Sequence, residues 1–91
     1  MQVEFREEAE KDLAAIRAYF EQVAPETVER ILTDINRGLE RLASYPRSGM
    51  RLRDRPLRRL VTLKYHFKIV YQIEIECIVV FGLFRFQDRK V

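Results

Sequence analysis

The chain has 91 residues, 47% of them hydrophobic and 34% charged, with 17 Lys+Arg against 14 Asp+Glu, which fits one small globular domain with a single two-layer core and excludes a disordered segment. A lone cysteine excludes an internal disulfide, one His and one Cys make a poor metal-ligand set, and the longest apolar run, "CIVVFGLF", falls far short of the roughly 20 residues of a membrane span. Gly38, Gly49 and Gly82 are too scattered for a phosphate loop, and "MQVEFREEAEKD" is charged where a signal peptide is apolar, so a cytoplasmic protein without cofactor or metal is expected.

In chain order, "QVEF" (Gln2–Phe5) alternates apolar and polar residues and predicts a short strand. "REEAEKDLAAIRAYFEQV" then sets Ala9, Leu13, Ile16, Phe20 and Val23 at steps of 4, 3, 4 and 3. That spacing is one stripe down a helix, and Glu7, Glu8 and Glu10 fall in its first turn, where the dipole favours anions. Ala24-Pro25 interrupts it and starts a second helix with the stripe Val28, Ile31, Leu32, Ile35, Leu39 and Leu42, running to about Ser44. So short a connection predicts an antiparallel helical hairpin.

Residues 46–56, "PRSGMRLRDRP", hold four arginines and no apolar period, which predicts a loop. From Leu57 the period drops to about 2. Leu57, Val61 and Leu63 are expected to alternate as one strand facing the hairpin, and Phe67, Ile69, Tyr71 and Ile73 as the next, with a tight turn at Tyr65-His66. Residues 74–76 turn the chain again, and Cys77–Phe84, apolar on both faces, predicts a central strand. The order is β-α-α-β-β-β, an α+β fold with a helical hairpin packed on a twisted, mainly antiparallel sheet.

Charge divides the two halves. Residues 1–43 carry 6 Lys+Arg against 10 Asp+Glu, a net −4; residues 44–91 carry 11 against 4, a net +7. A basic half of this kind marks a face for a polyanion or an acidic partner. The carboxylates of the first half have helix-surface spacing and are expected to form a solvated face. A Ser-His-acid triad would have to recruit His66 with Ser44 or Ser48, without any local signature. Metal-free RNA cleavage survives this pruning, because it needs only a base, an acid and cations for the phosphate, and Lys64, His66, Lys68, Arg85, Tyr65 and Tyr71 could supply them.

Single residues carry their own expectations. Lys68 lies between Phe67 and Ile69 and should point away from the core, whereas Tyr71 reads as a core or half-core residue and His66 as an exposed turn residue. Arg58, at a strand start, either pairs with a helix acid or contacts a partner. Arg85 is flanked by Phe84 and Phe86, which would stack on it or present it at an apolar end that a partner could cover.

The stretches "VEFREEAEKDLAAIRAYF", "LERLASYPRSG", "LRRL", "FKIVYQI" and "CIVVFGLFRFQD", in this order, resemble the RelE/ParE superfamily of bacterial type II toxin–antitoxin toxins. The resemblance implies the fold read above and one of two activities. RelE-like members cleave messenger RNA on the ribosome, and ParE-like members poison DNA gyrase without hydrolysing anything. For the nuclease, Lys68 and Tyr71 stand at matching positions, but "FRFQDRKV" supplies Arg85 and Arg89 with no terminal His or Tyr. The long helices with their Ala-Asp-Leu pattern, and "YPRSG", resemble the ParE branch. The resemblance therefore implies a gyrase inhibitor neutralised by a cognate, ParD-like antitoxin, with the ribosome as the alternative target. The antitoxin is expected along the helical hairpin. Arg51, Arg53, Arg58, Arg59, Lys64, Lys68, Arg85, Phe84 and Phe86 are the expected contact residues for target or antitoxin.

Overall fold

A computed structural model of the chain describes residues 1–85; Phe86, Arg89 and Val91 lie outside the described residues. Strand β1 (Gln2–Phe5) leads into helix α1 (Glu7–Val23), and a 3-10 turn (Pro25–Thr27) into helix α2 (Val28–Ser44). A second 3-10 turn (Pro46–Ser48) precedes β2 (Met50–Arg51), β3 (Arg58–Val61), β4 (Lys68–Ile73) and β5 (Cys77–Phe84). The five strands form one sheet in the order β1-β5-β4-β3-β2, antiparallel except for the parallel β1–β5 pair. This is the α+β arrangement expected from the sequence, with β5 inside the sheet as its two-sided apolar pattern requires.

The helical stripes form one wall of the core. Ala9 and Ile16 of α1 and Ile31, Ile35 and Leu42 of α2 pack against Leu60, Ile69, Tyr71, Ile78, Val80 and Leu83 of the sheet. Burial of this apolar surface is the main drive for the fold. Val23, the last member of the predicted α1 stripe, is exposed in the final position of the helix, next to its cap at Ala24. Proline 25 starts the 3-10 turn rather than α2 itself, which begins three residues later.

Strand β3 departs from expectation by one residue. Leu60 and Thr62 face the helices, while Val61 and Leu63 are 36% and 74% exposed. A shift of one position exchanges the two faces of a strand, and here cross-strand pairing sets the phase: Leu60 sits opposite Ile69 and Arg58 opposite Tyr71. Polar Thr62 can occupy the inner face because its hydroxyl accepts the Phe67 N–H at 2.8 Å. The connection is also wider than a turn at Tyr65-His66. It spans residues 62–67, closed by the Thr62 N–H to the Phe67 carbonyl at 2.8 Å, with exposed His66 in the left-handed region at φ 60.

Asp34 fixes that connection from the helix side. Only 6% exposed, it accepts the Lys64 N–H at 3.1 Å through Oδ1 and the Tyr65 N–H at 2.8 Å through Oδ2. Gly38, one turn on, leaves room for Ile69, Thr62 and Leu60 to approach the helix; a Cβ there would lie 3.0 Å from the Ile69 side chain. Burial pushes the Asp34 carboxyl up, but hydrogen bonds from Thr62, Tyr65 and Lys64 outweigh it and hold the group below its ordinary value of 3.8.

A folded value below the unfolded one means the unfolded chain binds the extra proton. The contribution of Asp34 is therefore complete above the ordinary carboxylate range and is lost as pH falls through the depressed folded value. Urea unfolding of the wild type and of Asp34→Asn between about pH 6 and pH 3 should show a flatter acid slope in the variant. Asp34→Ala, which orphans two amides, should cost about 1–3 kcal/mol at neutral pH. Equal acid slopes in wild type and Asp34→Asn would show that this carboxylate does not couple folding to pH.

Candidate functional site

The arginine-rich segment after α2 is fastened to the sheet by Tyr71. The side chain is fully buried in β4, and its hydroxyl donates to the Pro46 carbonyl at 2.7 Å and accepts the Gly49 N–H at 2.9 Å. Arg58, opposite Tyr71 in the sheet, donates through Nη1 to the Gly49 carbonyl at 2.9 Å and to the Arg47 carbonyl at 3.4 Å. The partners of Arg58 are thus loop carbonyls rather than a helix acid. Gly49 is required by proximity, since a Cβ would sit 2.5 Å from the Tyr71 hydroxyl and 2.9 Å from the Arg59 carbonyl. Burial pushes the Tyr71 phenol up, and the Gly49 N–H and the Arg58 charge offset this only partly, so the group stays protonated at neutral pH.

Beyond Gly49 the chain forms β2 at the sheet edge, Met50 opposite Arg59 and Arg51 opposite Arg58. Like charges facing one another across strands repel, and Arg58 escapes by turning its guanidinium onto the two carbonyls. The loop that follows is closed by the Leu52 N–H to the Leu57 carbonyl at 2.9 Å, with Asp54 at φ 60, and leaves Arg51, Arg53 and Arg55 exposed. Arg51, Arg53, Arg58 and Arg59 are therefore brought together at one edge.

The other expected residues are spread out. Lys68 pairs with Val61 and Phe84 on the sheet face away from the helices, as does Arg59 with Val70. Phe84 packs its ring against Gly82, where a Cβ would meet it at 2.8 Å. Lys64 lies in the β3–β4 connection, its ammonium 6.0 Å from the Tyr65 ring. Arg85 turns towards the helix layer and lies 4.7 Å over the Tyr19 ring of α1; its sequence neighbour Phe86 lies outside the described residues. Lys68 and Arg85 thus project on opposite sides of the sheet, and Tyr71, the third residue of the nuclease alternative, lies buried with its hydroxyl engaged at Pro46 and Gly49.

Two acids expected on a solvated helix face are structural instead. Asp34 holds the β3–β4 connection, and Asp12 accepts the Leu83 N–H at 3.1 Å. Asp34 carried a signal in the sequence, because it falls on the buried stripe Ile31, Ile35, Gly38 and Leu42. Asp12 carried none. Burial, followed by the carboxylates of Glu4, Glu74 and Glu76, pushes the Cys77 thiol up, which keeps it protonated and a poor nucleophile. Among the described residues no group of three or more His, Cys, Asp or Glu could hold a metal ion, and no helix is long and apolar enough to cross a membrane.

The anchor makes a quantitative prediction. Tyr71→Phe, leaving Gly49 N–H and the Pro46 carbonyl unpaired, should cost about 1–3 kcal/mol in chemical unfolding. Gly49→Ala should cost a similar amount, about 1–3 kcal/mol, through overpacking. Because the added methyl collides with the hydroxyl itself, the double variant should cost less than the sum of the two. Strict additivity would place the collision elsewhere.

Comparisons with known proteins follow the same line. The family model described as the ParE toxin of the type II toxin–antitoxin system parDE matches residues 3–89. No curated protein matches the chain. Among solved structures, the chromosomal ParDE toxin–antitoxin system from P. aeruginosa superposes with a TM-score of 0.78 at 19% identity, covering 93% of this chain and 95% of that one. The intact E. coli RelBE toxin–antitoxin complex superposes with a TM-score of 0.63 at 17% identity, covering 96% and 98%. At such identities the structures speak to the fold, and the family model speaks to descent. With 87 of its positions spanned by that model, the chain belongs to the ParE toxin family of type II toxin–antitoxin systems.

Proposed function

We propose that this protein is a toxin that inhibits DNA gyrase by binding, in the cytoplasm, and is held inactive by a cognate ParD-like antitoxin. The observation that carries the reading is the ParE family match over residues 3–89. The placement of the nuclease candidates supports it. General acid–base catalysis needs groups within about 3 Å of the reacting atoms, whereas Tyr71 is engaged in the core and Lys68 and Arg85 diverge. Inhibition by contact needs only an exposed, positioned surface. The edge formed by Arg51, Arg53 and Arg59 provides one, with Lys64, Lys68, Phe84 and Arg85 extending it around the sheet and Arg58 serving as its anchor.

The antitoxin has an attractive seat along the hairpin. Phe5, Leu13, Ala14, Leu32 and Leu39 line a groove between α1 and α2 that would take an apolar helix face. Acidic residues flanking such a segment would meet the basic half of the chain, so the complex should weaken as salt screens those contacts.

Purified protein added in parallel to a gyrase supercoiling assay and to a ribosome-programmed cleavage assay tests the reading. Inhibition of supercoiling with intact message is expected. The double variant Arg51→Ala/Arg53→Ala should weaken inhibition by roughly tenfold or more, in line with loss of two charge-assisted contacts, without a change in urea midpoint. Message cleavage with unimpaired gyrase would overturn the proposal.

A further inference from the structure

Helix α2 and the β3–β4 connection enclose a second basic site, a cleft of about 330 Å³ away from the arginine-rich loop. Arg30, Arg37 and Arg41 line one wall, at spacings of 7 and 4 that share one helix face, and Leu63 and Lys64 line the other. Arg41 is held in place by donation from Nη2 to the Val61 carbonyl at 3.2 Å, and its Nε is buried with no hydrogen-bond partner among the described residues. A buried cationic donor without an acceptor is costly, and a bound anion removes that cost. Asp34 borders the cleft, but its carboxylate is engaged by the Lys64 and Tyr65 amides, which leaves Glu29 as the other lining acid. Leu63, 74% exposed, stands at the rim as the most apolar residue there.

We propose that this cleft binds an acidic segment of a protein partner, with one carboxylate held among Arg41, Arg37 and Lys64 and a neighbouring apolar side chain covering Leu63. A guanidinium matches a planar carboxylate in two parallel hydrogen bonds. A nucleic-acid strand fits less well, since its charge repeats along its length and would meet Glu29 and Asp34, and Leu63 offers a phosphate nothing. The cleft lies away from the Arg51–Arg53 edge and shares only Lys64 with the surface extending from it, and its test reads peptide binding, so it stands or falls independently of gyrase inhibition.

The test is a titration of the ¹⁵N-labelled full-length protein, reading arginine Nε–Hε and backbone amide signals. The probes are a blocked twelve-residue peptide of Glu, Leu and Ala, the same peptide with Ser for Leu, inorganic phosphate, and a twelve-nucleotide single-stranded DNA. The leucine peptide should move the Arg41 Nε–Hε and Leu63 signals, and the serine version should bind several-fold more weakly. Arg37→Ala and Lys64→Ala, both at exposed positions, should each weaken the peptide by roughly tenfold, while Lys11→Ala, an equal loss of charge on α1, should change it by less than about twofold. Three results would overturn the proposal: the DNA or phosphate moving these signals while the peptide leaves them still, Lys11→Ala weakening the peptide as much as Arg37→Ala, or no movement with any probe.

Discussion

The Tyr71 hydroxyl lies in the core, out of reach of water, and both of its hydrogen bonds go to the backbone of residues 46–49. A buried polar group is tolerated only when its partners are in place, so the tyrosine and the turn after α2 define each other's positions. The segment downstream brings Arg47, Arg51, Arg53 and Arg55 into a short stretch, and mutual repulsion would spread such a stretch if nothing held it. Three fasteners act together: the hydroxyl, the Arg58 guanidinium on two carbonyls, and the Leu52–Leu57 backbone bond that closes the loop. The exposed arginines are thus carried on a base fastened by hydrogen bonds to backbone groups, which salt screens little.

The same device recurs between helices and sheet. Asp34 of α2 and Asp12 of α1 each reach from an otherwise apolar contact to backbone N–H groups of the β3–β4 connection and of β5. Apolar packing alone sets distance between layers but not register. A carboxylate that needs a particular N–H sets register, and both acids act where the sheet is irregular. Asp34 works at the connection containing His66 at φ 60. Asp12 works beside the register shift at Val70/Tyr71, where β5 has one residue more than β4. That extra residue, Phe81, carries Arg6 at 4.4 Å over its ring, so the irregularity is covered on its own side.

How much of this was legible in the sequence follows from the range of each signal. The helices were readable because their stripes repeat within a few residues, and β5 because a two-sided apolar strand has no other place in a sheet. The phase of β3 was not. Leu57, Val61 and Leu63 offer a better apolar alternation than Leu60 with Thr62, and the decision rests on Ile69, Tyr71 and the Phe67 amide, all outside the strand. The expected contact residues were chosen by charge type, yet their grouping was not visible. Arg51, Arg58 and Arg59 come to one edge because β2 pairs with β3, and Arg85 departs to Tyr19 because of a ring 66 positions earlier.

This distribution of cations bears on what the scaffold can do. A catalytic centre concentrates a few groups on one reacting atom and shields them from water. Here the basic groups follow the sheet edge, cross to the face away from the helices at Arg59 and Lys68, and reappear against α1 at Arg85 and along α2 at Arg37 and Arg41. Such a layout surrounds the domain rather than focusing on a point. It suits partners that are large or extended, whose many weak charge contacts add to a few apolar ones, and it separates the edge proposed for a target from the helix face proposed for an acidic chain. Two surfaces on one small domain permit a partner that covers the second to control the first either by blocking its approach or by competing for the cations between them, and the salt dependence of the two cases differs, since only the competing partner draws on the shared charge.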